Sequence, residues 1–380
     1  MKTAEGPRLC SIVGETVVDL KPLGMSGLLP GAKDGHLDLE AIRAALFELF
    51  QESSARLRDD QALRDSALYS LSEVEMARPV AQIGQYVDFY SGIHHATNVG
   101  KMFRPDSPPL LPNYRWLPVA YNGRASSVVA SGTPVRRPWG QFKGANDEEP
   151  GFAPTRELDF ELEVGFFVGH GTGLGETVPI ERADDYVRGF VLVNDWSARD
   201  VQRWEYQPLG PFLAKSFATS VSPWIVTLGA LEPFRVAGME QKPAVLPHLR
   251  DAGKAHFDVR LEVWLKSAKM KAAQRISATN MRELYWSYRQ QLAHLCSNGT
   301  PIEAGDLCAS GTISGCSKGS YGSMLELTWK GMEPLMLEET GEQRSFLEDG
   351  DSVTMAGYGE IDGMRIGFGE VSGAIMPARK

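Results

Sequence analysis

From about residue 80 to the C-terminus, short apolar and β-branched runs alternate with Gly and Pro turns, and this rhythm narrows the fold more than any other feature. LEVGFFVG, GFVLVND, SPWIVTLG, FDVRLEVWL, SMLELTWKG and DSVTMAGYG each read as a strand bounded by turn residues. Helical spacing is rare there, and the regular strand-helix alternation of a doubly wound sheet or an eight-fold barrel is missing. The expectation is a mainly β domain over residues 81–380, with some helix.

The first 80 residues read differently. RLCSIVGETVVDL, residues 8–20, suggests two strands around a Gly14-Glu15 turn, opening a small β domain. Asp38 is placed to cap a helix in which Leu39, Ile42, Leu46, Leu49 and Phe50 recur at helical spacing. A charged, Ser-rich stretch from Gln51 to Glu75 then runs into Arg78-Pro79, where polarity falls. The domain boundary is therefore expected near residue 80, giving units 1–80 and 81–380.

Charge and composition exclude some partners. A formal charge of −9 argues against nucleic acid or an anionic membrane as the main partner, because both select clustered Lys and Arg. The opening MKTAEGPRLCSIVGE has no long apolar stretch, and no later run reaches bilayer length, so a cytoplasmic protein is expected. Cys10, Cys296, Cys308 and Cys316 show neither C-x-x-C nor a disulfide-framework spacing, so free thiols are expected.

Chemistry is suggested first by LDFELEVGFFVG, where Asp159, Glu161 and Glu163 alternate with Phe160, Leu162 and Val164. Period two puts the three carboxylates on one strand face, where like charges destabilise unless water or a cation screens them. Taken alone, the run reads as a solvated edge. Asp195, ending GFVLVND, and Asp88, in VDFYSGIHHATN, bring the candidate oxygen donors beyond one strand. Four carboxylates without Cys or His spacing suit Ca²⁺, Mg²⁺ or Mn²⁺ and suit Zn²⁺ poorly.

Beyond Asp195, Ser197 is placed to cap a short helix in which Arg199, Gln202 and Tyr206 share a face, a set suited to holding a carboxylate-bearing substrate. Lys215 follows in a Pro- and Gly-flanked loop, where lysines are commonly at the surface. Of the tandem His94-His95, at most one faces a given site, since helical neighbours point apart. Glu326, read as lying within a strand SMLELTW, is a candidate to orient that histidine. Gly315-Cys316-Ser317-Lys318-Gly319 fits G-x-S-x-G, but a nucleophile elbow needs a helix after it, and a strand is expected here. The glycines of GHGTGLG fall on alternate positions and make a turn rather than a phosphate loop.

DFYSGIHHATNVGKMFR, LPVAYNGRASSVVASGTPVRRPWGQ, LDFELEVGFFVG, VLVNDWSARDVQRWEYQPLGPFLAKSF and SGTISG together closely resemble the fumarylacetoacetase family, from about Asp88 to the C-terminus. The resemblance implies a small SH3-like N-terminal barrel, a β-roll catalytic domain (a mixed β-sandwich roll) and a homodimer. It implies Asp88, Glu161, Glu163 and Asp195 as ligands of a catalytic Ca²⁺ or Mg²⁺, with a second, structural cation near Asp195, Lys215 and Thr219. His95 becomes the general base and Glu326 its orienting carboxylate. Tyr90, Arg104, Gln202, Tyr206 and Thr312 match substrate-binding positions, and Arg199, Gln202 and Lys215 match groups near the leaving carbanion. The implied substrate is a small diketo acid, 4-fumarylacetoacetate, cut by water into fumarate and acetoacetate. The stretch before Arg8 is shorter than the family's usual N-terminal segment.

Three other readings compete. Another acylpyruvate hydrolase or decarboxylase of the same superfamily would share the acidic ligands, but WEYQPLGPF and the His95-Glu326 pair weigh against it. A serine hydrolase built on Ser317 would survive a chelator. A non-catalytic metal-binding protein gives no reason for a base, an orienting carboxylate and substrate-type polar groups to occur together.

Overall fold

A computed structural model describes residues 1–25, 39–144 and 146–379, and the chain divides into two units, Met1–Ala81 and Gln82–Lys380. In the first, β1 (Cys10–Val13) and β2 (Thr16–Asp19) form the expected hairpin around Gly14, whose φ of +59° favours glycine. A third strand, β3 (Leu68–Ser70), pairs with β2, and among the described residues no pairing of β3 with β1 closes these three into a barrel. Helix α1 (Leu39–Leu49) buries Ile42 and Leu49 against a core with Val18, Leu20, Leu23 and Leu57. Phe50 lies beyond the helix end and is exposed, because the apolar stripe is complete at Leu49. The Asp38 cap lies outside the described residues.

The second unit is built on a seven-stranded sheet. Its members are β4 (Tyr86–Phe89), β5 (Ala120–Asn122), β6 (Val128–Ala130), β7 (Leu162–Val168), β8 (Val187–Asp195), β9 (Thr219–Val221) and β10 (Leu307–Ala309), in the spatial order β5-β4-β10-β7-β8-β9-β6. A five-stranded sheet, with Arg260–Lys266, Ser352–Ile361 and Met364–Met376 at its centre, packs against it. The alternation of β7 and β8 explains the sandwich. Leu162, Val164 and Phe166, with Phe190 and Leu192, face a core shared with Leu261, Val263, Met355 and Val371. Fully burying each such side chain contributes roughly 1.5–3 kcal/mol. Trp196 at the end of β8 is fully buried and meets the facing strand at Gly373, where an added Cβ would lie 2.7 Å from the indole.

Several expected elements form differently. LDFELEVGFFVG is broken: Leu158–Asp159 pairs with Ser197–Ala198, and β7 begins only at Leu162, because Glu161 instead bridges Ser323. SPWIVTLG makes one bridge, Val226 to Phe190, before Thr227 caps a helix over Leu228–Leu231. SMLELTW is helical at α4 (Met324–Leu327), where Ser323 accepts from the Glu326 N–H, so Glu326 is not on a strand. Ser197 does not cap the helix over Arg199–Glu205: the N-cap position is Ala198, without a side-chain bond, and Ser197 Oγ donates to the Asp195 carbonyl.

Candidate active site

The sheet face opposite the core gathers the carboxylates. Glu163 on β7 opposes Val193 on β8, two residues before Asp195, so both acids point the same way. Asp88 on β4 opposes Ala309 on β10, which opposes Gly165 on β7, so Asp88 joins that face across a gap lined by a methyl and a hydrogen. The carboxylate oxygens of Asp88, Glu163 and Asp195 come within 4.8 Å of one another, and all three residues are buried. This is no solvated edge.

Burial lifts the Asp88 and Glu163 carboxyls well above the ordinary range, and neighbouring carboxylates, led by Asp195 on Asp88 and by Asp88 on Glu163, push the same way. Burial also raises Asp195, against the pull of the Lys215 ammonium. Asp88 Oδ1 and Glu163 Oε1 are buried and have no hydrogen-bond partner among the described residues. Mutually repelling, under-satisfied oxygens fit a hard cation, which would neutralise the charge and fill the vacant lone pairs.

Glu161 has a different setting. Lys215 Nζ binds its carboxylate and lies 2.5 Å from Asp195 Oδ2, while Arg199 Nη2 lies 2.7 Å from Glu161 Oε1. Burial raises its pKa, but Lys215, Arg199 and His95 outweigh that and hold it below the usual value. Lys215 is buried, against the surface-loop expectation, because it sits between two carboxylates. Thr219 Oγ1 donates to Asp195 Oδ1 at 3.2 Å.

Helix α2 (Ile93–Phe103) brings His95. It starts after Gly92, where a Cβ would lie 2.2 Å from the Thr312 carbonyl, so only glycine lets the helix approach this closely. His95 is buried, with Nδ1 2.6 Å from Glu326 Oε2 and Nε2 3.7 Å from Glu161 Oε1. Glu326 also accepts from Asn98, Ser314 and Ser323. Burial raises its pKa, but His95 and these donors prevail and leave it lowered. Glu326 is thus held as an anion that accepts from Nδ1–H, and Nε2 is free to take a proton. His94 points elsewhere, 3.4 Å from Glu283.

Tyr90 packs edge-on against His95, with ring centroids 5.4 Å apart; burial, then Glu161 and Glu326, raise its pKa. Thr312 Oγ1 is buried without a hydrogen-bond partner among the described residues. In α3 (Arg199–Glu205), Arg199 Nη1 donates to Gln202 Oε1 at 3.0 Å, and Tyr206 follows, half-buried, at the C-cap. The Arg104 guanidinium donates to the Pro109 carbonyl at 2.9 Å. Sequence reasoning missed Asn98, Ser314 and Ser323, and it missed Tyr121, whose hydroxyl lies 2.6 Å from Asp88 Oδ2 and 3.1 Å from Asp195 Oδ2. Only Asn98, one helical turn from His95, left a readable signal. Ser317 reaches Ser320 alone, and a 3-10 turn and α4 follow it rather than a strand.

An oriented imidazole beside carboxylates suited to a hard cation is the equipment of a hydrolase. The chain narrows that class further, since residues 85–373 match the family described as Fumarylacetoacetate (FAA) hydrolase C-terminal. Fumarylacetoacetase of Bos taurus is 47% identical over 98% of this chain and 92% of its own length, and that of Mus musculus 51% identical over 88% and 80%. Among solved structures, a candidate HpcE protein from Mycobacterium smegmatis superposes with a TM-score of 0.56 at 20% identity, covering 98% of this chain and 97% of its own. Maleylpyruvate hydrolase from Sphingobium sp. SYK-6 gives 0.50 at 17% identity, covering 99% and 98%. These two share the curled, mainly β fold. The chain belongs to the fumarylacetoacetate hydrolase family.

Proposed function

We propose that the protein hydrolyses the carbon-carbon bond of 4-fumarylacetoacetate to fumarate and acetoacetate, the last step of tyrosine and phenylalanine breakdown. The full-length similarity to fumarylacetoacetases supports the reaction. The observation that carries the mechanism is the 2.6 Å contact of His95 Nδ1 with Glu326, which leaves Nε2 to act as base. Asp88, Glu163 and Asp195, with Glu161 as a fourth carboxylate, would hold Ca²⁺ or Mg²⁺, with Mn²⁺ as a substitute. When bound, that cation polarises the substrate's diketone oxygens.

His95 Nε2 takes a proton from water, and the resulting hydroxide adds to the carbonyl carbon of the fumaryl group, the one joined to the carbon-carbon double bond. The carbon-carbon bond breaks, its electron pair leaves with acetoacetate as an enolate, and the proton returns to carbon. Arg199, Gln202 and Lys215 stabilise the developing negative charge. Tyr90, Arg104, Gln202, Tyr206 and Thr312 hold the substrate's carboxylates and oxygens. A second, structural cation near Asp195, Lys215 and Thr219, an SH3-like first unit and a homodimer complete the proposal and rest on family resemblance, and a cytoplasmic location rests on the sequence reading alone. Following the reaction by proton NMR should show fumarate and acetoacetate in equal amounts. Release of carbon dioxide, or turnover confined to acylpyruvates, would displace this reading.

A further inference from the structure

We propose that Asp159 is the positioning residue for Arg199, holding the guanidinium in a fixed plane against Glu161 and tying it to the segment that carries Glu326. The inference rests on the role given to Arg199 above. Asp159 is fully buried and touches no part of the carboxylate cluster, so the proposed reaction gives it no task. Its two oxygens nevertheless take four donors. Oδ1 accepts from the Phe160 N–H at 2.8 Å and the Met324 N–H at 2.7 Å. Oδ2 accepts from the Leu325 N–H at 3.0 Å and from Arg199 Nε at 2.8 Å.

Those contacts set the geometry of the arginine. With Nε bonded to Asp159, Nη1 bonded to Gln202 and Nη2 in ionic contact with Glu161 but without a hydrogen-bond partner among the described residues, the guanidinium is held at its three nitrogens and resists turning. The carboxylate is anchored in turn by the backbone of Met324 and Leu325, immediately before Glu326. One side chain thereby holds the cation and the carboxylate that orients the base in a common frame, although Asp159 and Met324 are 165 residues apart in the chain.

The test is a double-mutant cycle on the metal-loaded, full-length enzyme with fumarylacetoacetate, using Asp159→Asn, Arg199→Met and the pair. Asp159→Asn is expected to lower kcat roughly 10- to 100-fold while KM moves less than about threefold, as for other residues that orient a functional group. In the Arg199→Met background the same change should cost less than about threefold more, because its route of action is already gone. Losses that multiply overturn the inference and leave the proposed reaction standing. Wild-type turnover in Arg199→Met overturns the role of Arg199, and this inference falls with it. Where Asp159→Asn fails to fold, Arg199→Gly supplies the second test. Asp159 and Glu161 then offer a seat for a planar two-edged donor, so added guanidinium restores turnover and methylammonium at equal concentration does not. Equal rescue by both overturns the inference.

Discussion

His95 and Glu326 stand 231 residues apart in the chain and 2.6 Å apart in the fold. The contact is buried at both ends, and Glu326 is further pinned by Asn98 from the same helix as His95. A carboxylate so held fixes which imidazole nitrogen carries the proton and which way the ring faces. The imidazole proposed as the base is thus oriented by packing alone.

Removing the base or its partner should separate chemistry from binding. His95→Ala should lower kcat by roughly 10²- to 10⁴-fold, and Glu326→Gln by roughly 10- to 100-fold, with cation affinity retained. Steady-state kinetics with a cation titration followed by calorimetry checks both. Near-normal turnover in His95→Ala would refute the assignment.

Cation binding should stabilise the fold, and Glu163 should reveal why. Three buried carboxylates repel one another, so in chelator-treated protein Glu163→Gln is expected to raise Tm by a few degrees, on the order of 1 kcal/mol. The same variant should gain less from added Ca²⁺ or Mg²⁺ than wild type does, since it has lost a charged ligand. A thermal shift measured with and without cation decides this, and identical gains would count against the carboxylate cluster as the binding site.

The acid limb of stability should carry a signature of His256. Burial holds this imidazole down at about 4. Its folded pKa is below the unfolded value, so the unfolded chain binds the proton first as pH falls. The stability it contributes is intact above about pH 6.5 and is lost progressively toward pH 4, on the order of 3 kcal/mol in all. Urea unfolding across that window should show a shallower pH dependence in His256→Gln than in wild type, and parallel curves would contradict it.

Gly373 tests the packing of the two sheets. A methyl there meets the fully buried indole of Trp196 at 2.7 Å, and Trp196 is held in place by its Nε1 bond to Ser220 at 2.9 Å. Gly373→Ala should therefore destabilise by about 1–3 kcal/mol through overpacking. Chemical denaturation measures it, and an unchanged midpoint would show that the sheets move apart freely.

How far the sequence could be read follows from the range of each signal. Period two marked Glu163, and the run of apolar residues before Asp195 marked another strand end, so two of the three clustered carboxylates stood out from local pattern, whereas Glu161, expected on the same strand face, precedes the strand and bridges Ser323. Register was not legible: that Asp88 meets Glu163 across Ala309 and Gly165 depends on β10, which comes 140 residues after β7 in the chain. Glu326 was assigned to a strand because SMLELTW alternates, yet Ser323 caps a single helical turn there, a competition that four residues cannot settle by periodicity. Lys215 looked like a surface lysine because its two carboxylate partners, Glu161 just before β7 and Asp195 at the end of β8, lie outside its own loop. Tyr121 left no signal, since a tyrosine beside an Asn-Gly turn is common.

The most direct test of the central claim is the loss of fumarylacetoacetate absorbance in the presence of the purified protein, before and after EDTA and again after Ca²⁺ or Mg²⁺ is restored. Decay that stops with chelator and returns with cation, yielding fumarate and acetoacetate, is the predicted result. Decay that is indifferent to chelator, or no decay by folded and cation-loaded protein, would contradict it.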